Sequence, residues 1–101
     1  MKNRRLIAQK FANSIKSQYI DKIILYGSVA RGDDTENSDI DILIITNNYD
    51  KIESKVYNES YTIIIDDNEI ISPHFITPEH FEKIKNFSFI STVLKEGILL
   101  G

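Results

Sequence analysis

Cysteine is absent from the 101 residues, which excludes disulfides, thiolate metal sites and thiol nucleophiles together and fits an intracellular protein. Long apolar runs are missing too. The longest, Ile40 to Ile45, is interrupted by Asp41, far short of the ~20 residues a bilayer span needs, and the N-terminus lacks the apolar core of a signal segment. The expectation is a soluble, cytoplasmic chain with no membrane partner. Positive charge is also in short supply: 12 Lys and Arg stand against 15 Asp and Glu, a net charge of -3. Such a molecule lacks the field of a non-specific nucleic-acid binder, so no large nucleic-acid footprint is expected. No repeat, low-complexity tract or linker interrupts the chain. With 42% apolar residues, 101 residues suffice for one compact core and not for two, so residues 1–101 are read as one domain.

Periodicity supplies the elements. Ile7, Phe11 and Ile15 recur at four-residue steps with Ala8 and Ala12 beside them, predicting an amphipathic helix from Lys2 to about Ser17. Its other face is basic: Lys2, Arg4, Arg5, Lys10, Lys16 and Lys22 are opposed only by Asp21. That face reads first as solvated surface, and second as a contact for RNA or an acidic partner. Ile23-Ile24-Leu25-Tyr26 is a buried strand ended by Gly27, Ser28 to Arg31 suits one or two helical turns, and Gly32 to Asn37 is loop. Ser38 to Thr46 is a second strand, apolar on both faces in its tail and therefore central.

Asp50 to about Asp66 carries both signals, a helical spacing of Ile52 and Val56 and a strand-forming run at Tyr61 to Ile65, and is read as helix. Glu69 to Ile76 is a third strand, placed at an edge because Pro73 has no amide to donate. Thr77-Pro78-Glu79 has the order of a helix cap, first-turn proline and first-turn acid, and Ser88 to Glu96 forms a last helix stopped by Gly97. The order α-β-α-β-α-β-α-α predicts an α/β (α+β) fold with a small mixed sheet of about three strands and helices packed on it.

The chemistry concentrates between Leu25 and Ile45. Asp39 and Asp41, two apart at a strand start, project from one face with Cβ atoms about 6–7 Å apart. At an effective dielectric near 20 their repulsion is about 2.5 kcal/mol, which a divalent cation reverses. Mg2+ suits them, because it accepts one or two carboxylates and completes its shell with water and phosphate oxygens. Gly27-Ser28 supplies the complementary half: a glycine at a strand end opening a helical turn lets backbone amides approach an anion, and the Ser28 hydroxyl adds a donor. Arg31, one turn on, reads equally as a phosphate contact or a surface ion pair. For the halves to meet across so short a connection, the two strands must be antiparallel.

Gly27-Ser28-Val29-Ala30-Arg31-Gly32 followed by Ser38-Asp39-Ile40-Asp41 resembles the signature of the polymerase-beta superfamily of nucleotidyltransferases. Ile71-Ser72-Pro73, Thr77-Pro78-Glu79 and Lys95 to Leu100 extend the likeness to small prokaryotic members, often antitoxins paired with a helical HEPN-type ribonuclease. The resemblance implies the nucleotidyltransferase fold and Mg-dependent transfer of a nucleotidyl group from a nucleoside triphosphate, ATP first, to a hydroxyl acceptor. Asp39 and Asp41 would be the catalytic metal ligands, with Gly27, Ser28 and Arg31 at the nucleotide. It also implies a third carboxylate on the next strand, and the matching position here is Ser72. Asp67 and Glu69 are the nearby substitutes, but Glu69 is three residues from Ser72 and so on the opposite strand face in a regular register.

Two functions follow from this pattern: an enzyme acting on a protein, RNA or small-molecule hydroxyl, or an interaction protein that keeps the fold and docks on a partner such as a ribonuclease toxin. His74 and His80 have no partner at metal-ligand spacing and read as ordinary surface or core residues. Tyr26, Phe11, Phe75, Phe81, Phe87 and Phe89 read as core before base-stacking platforms.

Overall fold

The computed structural model describes residues 3–101, so Lys2 of the basic N-terminal segment lies outside the described residues. Helix α1 spans Arg4–Ile15, capped by the Asn3 side chain, which accepts from the Leu6 amide at 3.1 Å. There follow β1 (Lys22–Tyr26), α2 (Gly27–Arg31), β2 (Ile40–Ile45), α3 (Tyr49–Asp67), β3 (Ile71–Ile76), α4 (Pro78–Ile84), α5 (Ser88–Glu96) and β4 (Ile98–Leu99). Among the described residues no helix is long and apolar enough to cross a membrane.

The sheet is mixed, as expected, but it has four strands rather than about three, in the order β3-β2-β1-β4. The strand not anticipated from the sequence is β4. Two residues show no period, and Ile98–Leu99 becomes a strand only because the open edge of β1 receives it, Ile24 opposite Leu99 and Leu25 opposite Ile98. Gly97 ends α5 in an extended conformation and allows that approach, since a Cβ there would collide with the Val93 carbonyl and stand 2.8 Å from Ile24 Cγ2. β1 and β2 are antiparallel, from Lys22 opposite Ile45 to Tyr26 opposite Asp41. β2 and β3 are parallel, with Asp41 opposite Ser72. Strand β2 is interior and β3 is an edge, where the missing amide of Pro73 is tolerated.

The ambiguous segment is helical throughout. Ile52, Val56, Ser60 and Ile63 form the buried stripe of α3, and that continuous apolar face overrides the strand propensity of Tyr61 to Ile65, of which Tyr61 and Ile65 are exposed. Period-two alternation divides the sheet between two apolar layers. Ile23, Leu25, Ile40, Ile42 and Ile44 pack with Phe11 of α1 and Val56 of α3, each fully buried side chain contributing about 1.5–3 kcal/mol. Ile24, Leu43 and Ile45 pack the other way, on Phe81 of α4 and on Ile90 and Val93 of α5. Asp39 and Asp41 share the parity of Leu43, so they open on this second side, with Asp39 exposed at the start of the strand. Phe11 and Phe81 are core and Phe75 packs against it. Phe87 and Phe89 correct the sequence expectation: they are 64% and 66% exposed, because the core stripe of α5 is Ile90 and Val93.

Candidate active site

The chain leaves β1 at Tyr26 and enters α2 through Gly27 at φ +75°, a conformation that costs an L side chain about 1–2 kcal/mol. Space forbids a side chain as well. A Cβ on Gly27 would stand 2.5 Å from Oδ2 of Asp41, so the glycine backbone lies directly against that carboxylate. Gly32 closes α2 at φ +85°, its amide donating to the Ser28 carbonyl at 2.9 Å. Arg5 holds the same short helix from outside, donating to the carbonyls of Val29 at 3.2 Å and Ala30 at 2.6 Å. The two halves predicted from the sequence, the Gly-Ser turn and the Asp-x-Asp pair, are thus in contact, and the antiparallel β1–β2 register brings them there.

Asp41 is half-buried and its carboxyl is pushed above the usual carboxylate range. Burial is the main cause; the charge of His74 pulls it back down, Asp39 pushes it up again, and Arg31 lowers it. Neighbouring Asp39 accepts a hydrogen bond at Oδ2 from the Ser72 hydroxyl at 3.0 Å. Ser72 therefore faces the pair, as its register requires, and contributes a neutral donor at the position where the resemblance implies a third carboxylate. Among the described residues no group of three or more His, Cys, Asp or Glu is placed to hold a metal, so the site offers two acids.

Neither substitute acid reaches it. Glu69 accepts from Arg4 Nε at 3.0 Å, and Asp67 pairs with Lys10 at 3.4 Å, so both are drawn toward α1. Arg4 also pairs with Asp34 at 2.9 Å and donates to the carbonyls of Thr35 and Glu36, tying the loop that leads into Asp39 to the turn that precedes β3. The basic face of the first helix is accordingly spent in part on the protein itself: Arg4 and Arg5 brace the site's two approach loops. Arg31 follows its ion-pair reading, bonded to Asp33 at 3.1 Å and to Glu96 of α5 at 3.3 Å, although its charge is felt at Asp41.

Sequence reading overlooked one side of the site. His74 lies two residues beyond Ser72 on β3, hence on the same face, and its ring centroid is 6.0 Å from that of Tyr26. Tyr26 in turn meets the exposed Phe89 edge-on, with centroids 6.3 Å apart at 90°. Burial, with a smaller push from the Asp41 charge, raises the Tyr26 phenol to about 12. Parity from Ser72 could have located His74. Nothing local could have located Phe89, whose partner is 63 positions away in the chain.

The chain is similar to known proteins in sequence and in fold. A family profile described as "Nucleotidyltransferase domain" matches residues 8–100. Two proteins of Methanocaldococcus jannaschii, each described as a "putative protein adenylyltransferase", are similar in sequence. One is 40% identical over 101 residues, spanning 97% of this chain and 98% of its own length. The other is 30% identical over 87 residues, spanning 78% and 86%. Two crystal structures share the fold: a toxin-antitoxin with AMP-PNP (TM-score 0.58, 16% identity) and a mutant of the toxin-antitoxin MntA-HpeT (TM-score 0.57, 15% identity), each covering 100% of this chain and 73% of its own. With the family match running from within α1 to just past β4, this chain belongs to the nucleotidyltransferase domain family.

Proposed function

We propose that this transferase binds ATP with Mg2+ between the Gly27-Ser28 turn and the carboxylates of Asp39 and Asp41, and transfers the adenylyl group to a hydroxyl on a partner protein. The observation that carries the reading is the packing of Gly27 against Asp41, which sets the backbone turn directly beside the acidic pair. The residues fit the metal. The two neighbouring carboxylates repel each other, which a divalent cation would relieve, and they leave room for the water and phosphate oxygens that Mg2+ requires. Bound there, the metal would lower the charge on the triphosphate and on the departing pyrophosphate.

The protein's own groups have separate tasks. The Gly27 and Ser28 amides and the Ser28 hydroxyl hold the phosphate oxygens, and Arg31 joins them by leaving Asp33 or Glu96. In the reaction the acceptor oxygen bonds to the α-phosphorus, the bond from that phosphorus to the bridging oxygen of pyrophosphate breaks, and the acceptor's proton leaves to solvent. A protein acceptor is supported by the description of both M. jannaschii relatives. Calorimetry with ATP and Mg2+ tests the reading. Binding is expected to vanish in Asp39→Ala/Asp41→Ala and with chelator; unchanged binding in either would remove the site assignment.

A second reading is favoured by Ser72 and by the engagement of Glu69 and Asp67 with α1. With no third acid at the pair, the chain would bind nucleotide yet act chiefly as an antitoxin docked on a helical HEPN-type ribonuclease. The toxin-antitoxin neighbours are consistent with this role. Incorporation of labelled nucleotide into a co-purified partner separates the two readings.

A further inference from the structure

Tyr26, the register partner of Asp41, packs against the core, but the exposed Phe89 that meets it is unexplained by packing. Phe89 is two-thirds exposed, although the core stripe of its helix is complete with Ile90 and Val93. It is not isolated: its ring meets that of Tyr26, and Tyr26 meets His74, so three rings run from the end of β1, opposite Asp41, to β3 on one side and the start of α5 on the other. Tyr26 is both the residue preceding Gly27 and the register partner of Asp41, which makes this border continuous with the phosphate turn and the acidic pair.

We propose that Phe89, supported edge-on by Tyr26, is the stacking platform for the nucleobase of the bound triphosphate. The inference rests on the nucleotide site proposed above and adds to it the residue that holds the base. A triphosphate anchored at Gly27-Ser28 must project its ribose and base away from the phosphates, and the neighbouring aromatic surface is formed by Tyr26 and Phe89. An edge-to-face pair leaves a ring face open, and a base can cover it without any change in α5. Stacking accepts every base through its π-face, so the platform selects by ring area and not by hydrogen bonding. Purine triphosphates are therefore favoured over pyrimidine ones, with little discrimination between ATP and GTP. The net negative charge that disfavours nucleic acid is no obstacle, because a magnesium-bound mononucleotide brings its own cation.

The chain has no tryptophan, so Phe89→Trp installs a single reporter at the platform. Its fluorescence is expected to quench saturably with Mg-ATP and to ignore Mg-tripolyphosphate, which has the same anionic groups and no base. In parallel, calorimetry on Phe89→Ala should show ATP bound about 5- to 150-fold more weakly, the usual loss for one stacked base, with tripolyphosphate affinity unchanged. Undiminished ATP affinity in Phe89→Ala overturns the proposal and leaves Phe87 and Phe89 as a protein-docking face. Equal quenching by tripolyphosphate overturns it too, because movement of α5 would then explain the signal. If the unaltered chain binds neither ligand, the triphosphate site itself fails and the platform falls with it; binding of tripolyphosphate as tight as ATP sinks the platform alone.

Discussion

The Ser72 hydroxyl donates to Oδ2 of Asp39 at 3.0 Å, across a parallel strand pair that sets Ser72 opposite Asp41. The strand neighbour that faces the acidic pair is therefore a neutral hydroxyl and not a third carboxylate. Ser72→Asp is expected to raise nucleotidyl transfer on the order of tenfold, which about 1.4 kcal/mol off the barrier supplies, while ATP affinity changes little. Labelled-nucleotide incorporation by both forms measures this. Strong transfer by the unaltered protein that is abolished by Glu69→Gln or Asp67→Asn would show that one of those acids leaves α1 and completes the site.

Asp41 is held above the usual carboxylate range chiefly by burial, so its ionisation opposes folding. The folded protein binds this proton more tightly than the unfolded chain does, and stability without metal should fall as pH rises from the unfolded value of 3.8 through the raised folded value. Asp41→Asn removes that loss and should leave the fold intact or slightly more stable at neutral pH. Thermal melts in chelator across this range decide the matter; a large drop in the midpoint of Asp41→Asn would make Asp41 a structural residue.

Gly27→Ala combines an unfavourable positive φ with a methyl group set against the Asp41 carboxylate. A loss of about 1–2 kcal/mol from the backbone alone is expected, with Mg-ATP binding lost beyond what the destabilisation explains. Comparing its melt and its ATP isotherm with those of Gly32→Ala, where the added Cβ meets only Arg5 at 3.5 Å, isolates the contact with Asp41.

Arg4 joins two loops that approach the site from different strands, through Asp34, the carbonyls of Thr35 and Glu36, and Glu69. Arg4→Ala should lower the melting midpoint by about 4–8 °C, the shift that ~1 kcal/mol produces in a domain of this size. Arg4→Lys should recover only part of it, because a single ammonium cannot reproduce the guanidinium fork. Equal midpoints for Arg4→Ala and the unaltered protein would show the network to be solvated surface.

Breaking the pair between Arg31 and α5 should favour ligand binding. Glu96→Gln removes one of the two carboxylates that hold Arg31, and a modestly tighter Mg-ATP isotherm is expected, steeper in its salt dependence. An unchanged or weaker isotherm would assign Arg31 to structural support of α2 and α5.

The sequence by itself determined the elements and the two halves of the site. Ile7, Phe11 and Ile15 announce α1, the cap and proline at Thr77-Pro78 announce α4, and the spacing of Asp39 and Asp41 places two carboxylates on one strand face, because these are local consequences of period, capping and φ preference. Gly27 and Gly32 are legible for the same reason, each sitting at a positive φ that few other residues accept. The tertiary structure decided everything that depends on long-range partners. β4 exists only against β1; Glu69 and Asp67 turn to α1 instead of the acidic pair; Arg4 and Arg5 serve their own chain; and Phe89 lies outside the core against Tyr26. Each of those outcomes is a choice among partners that only packing brings within reach, and a side chain's charge or size does not state which partner will arrive.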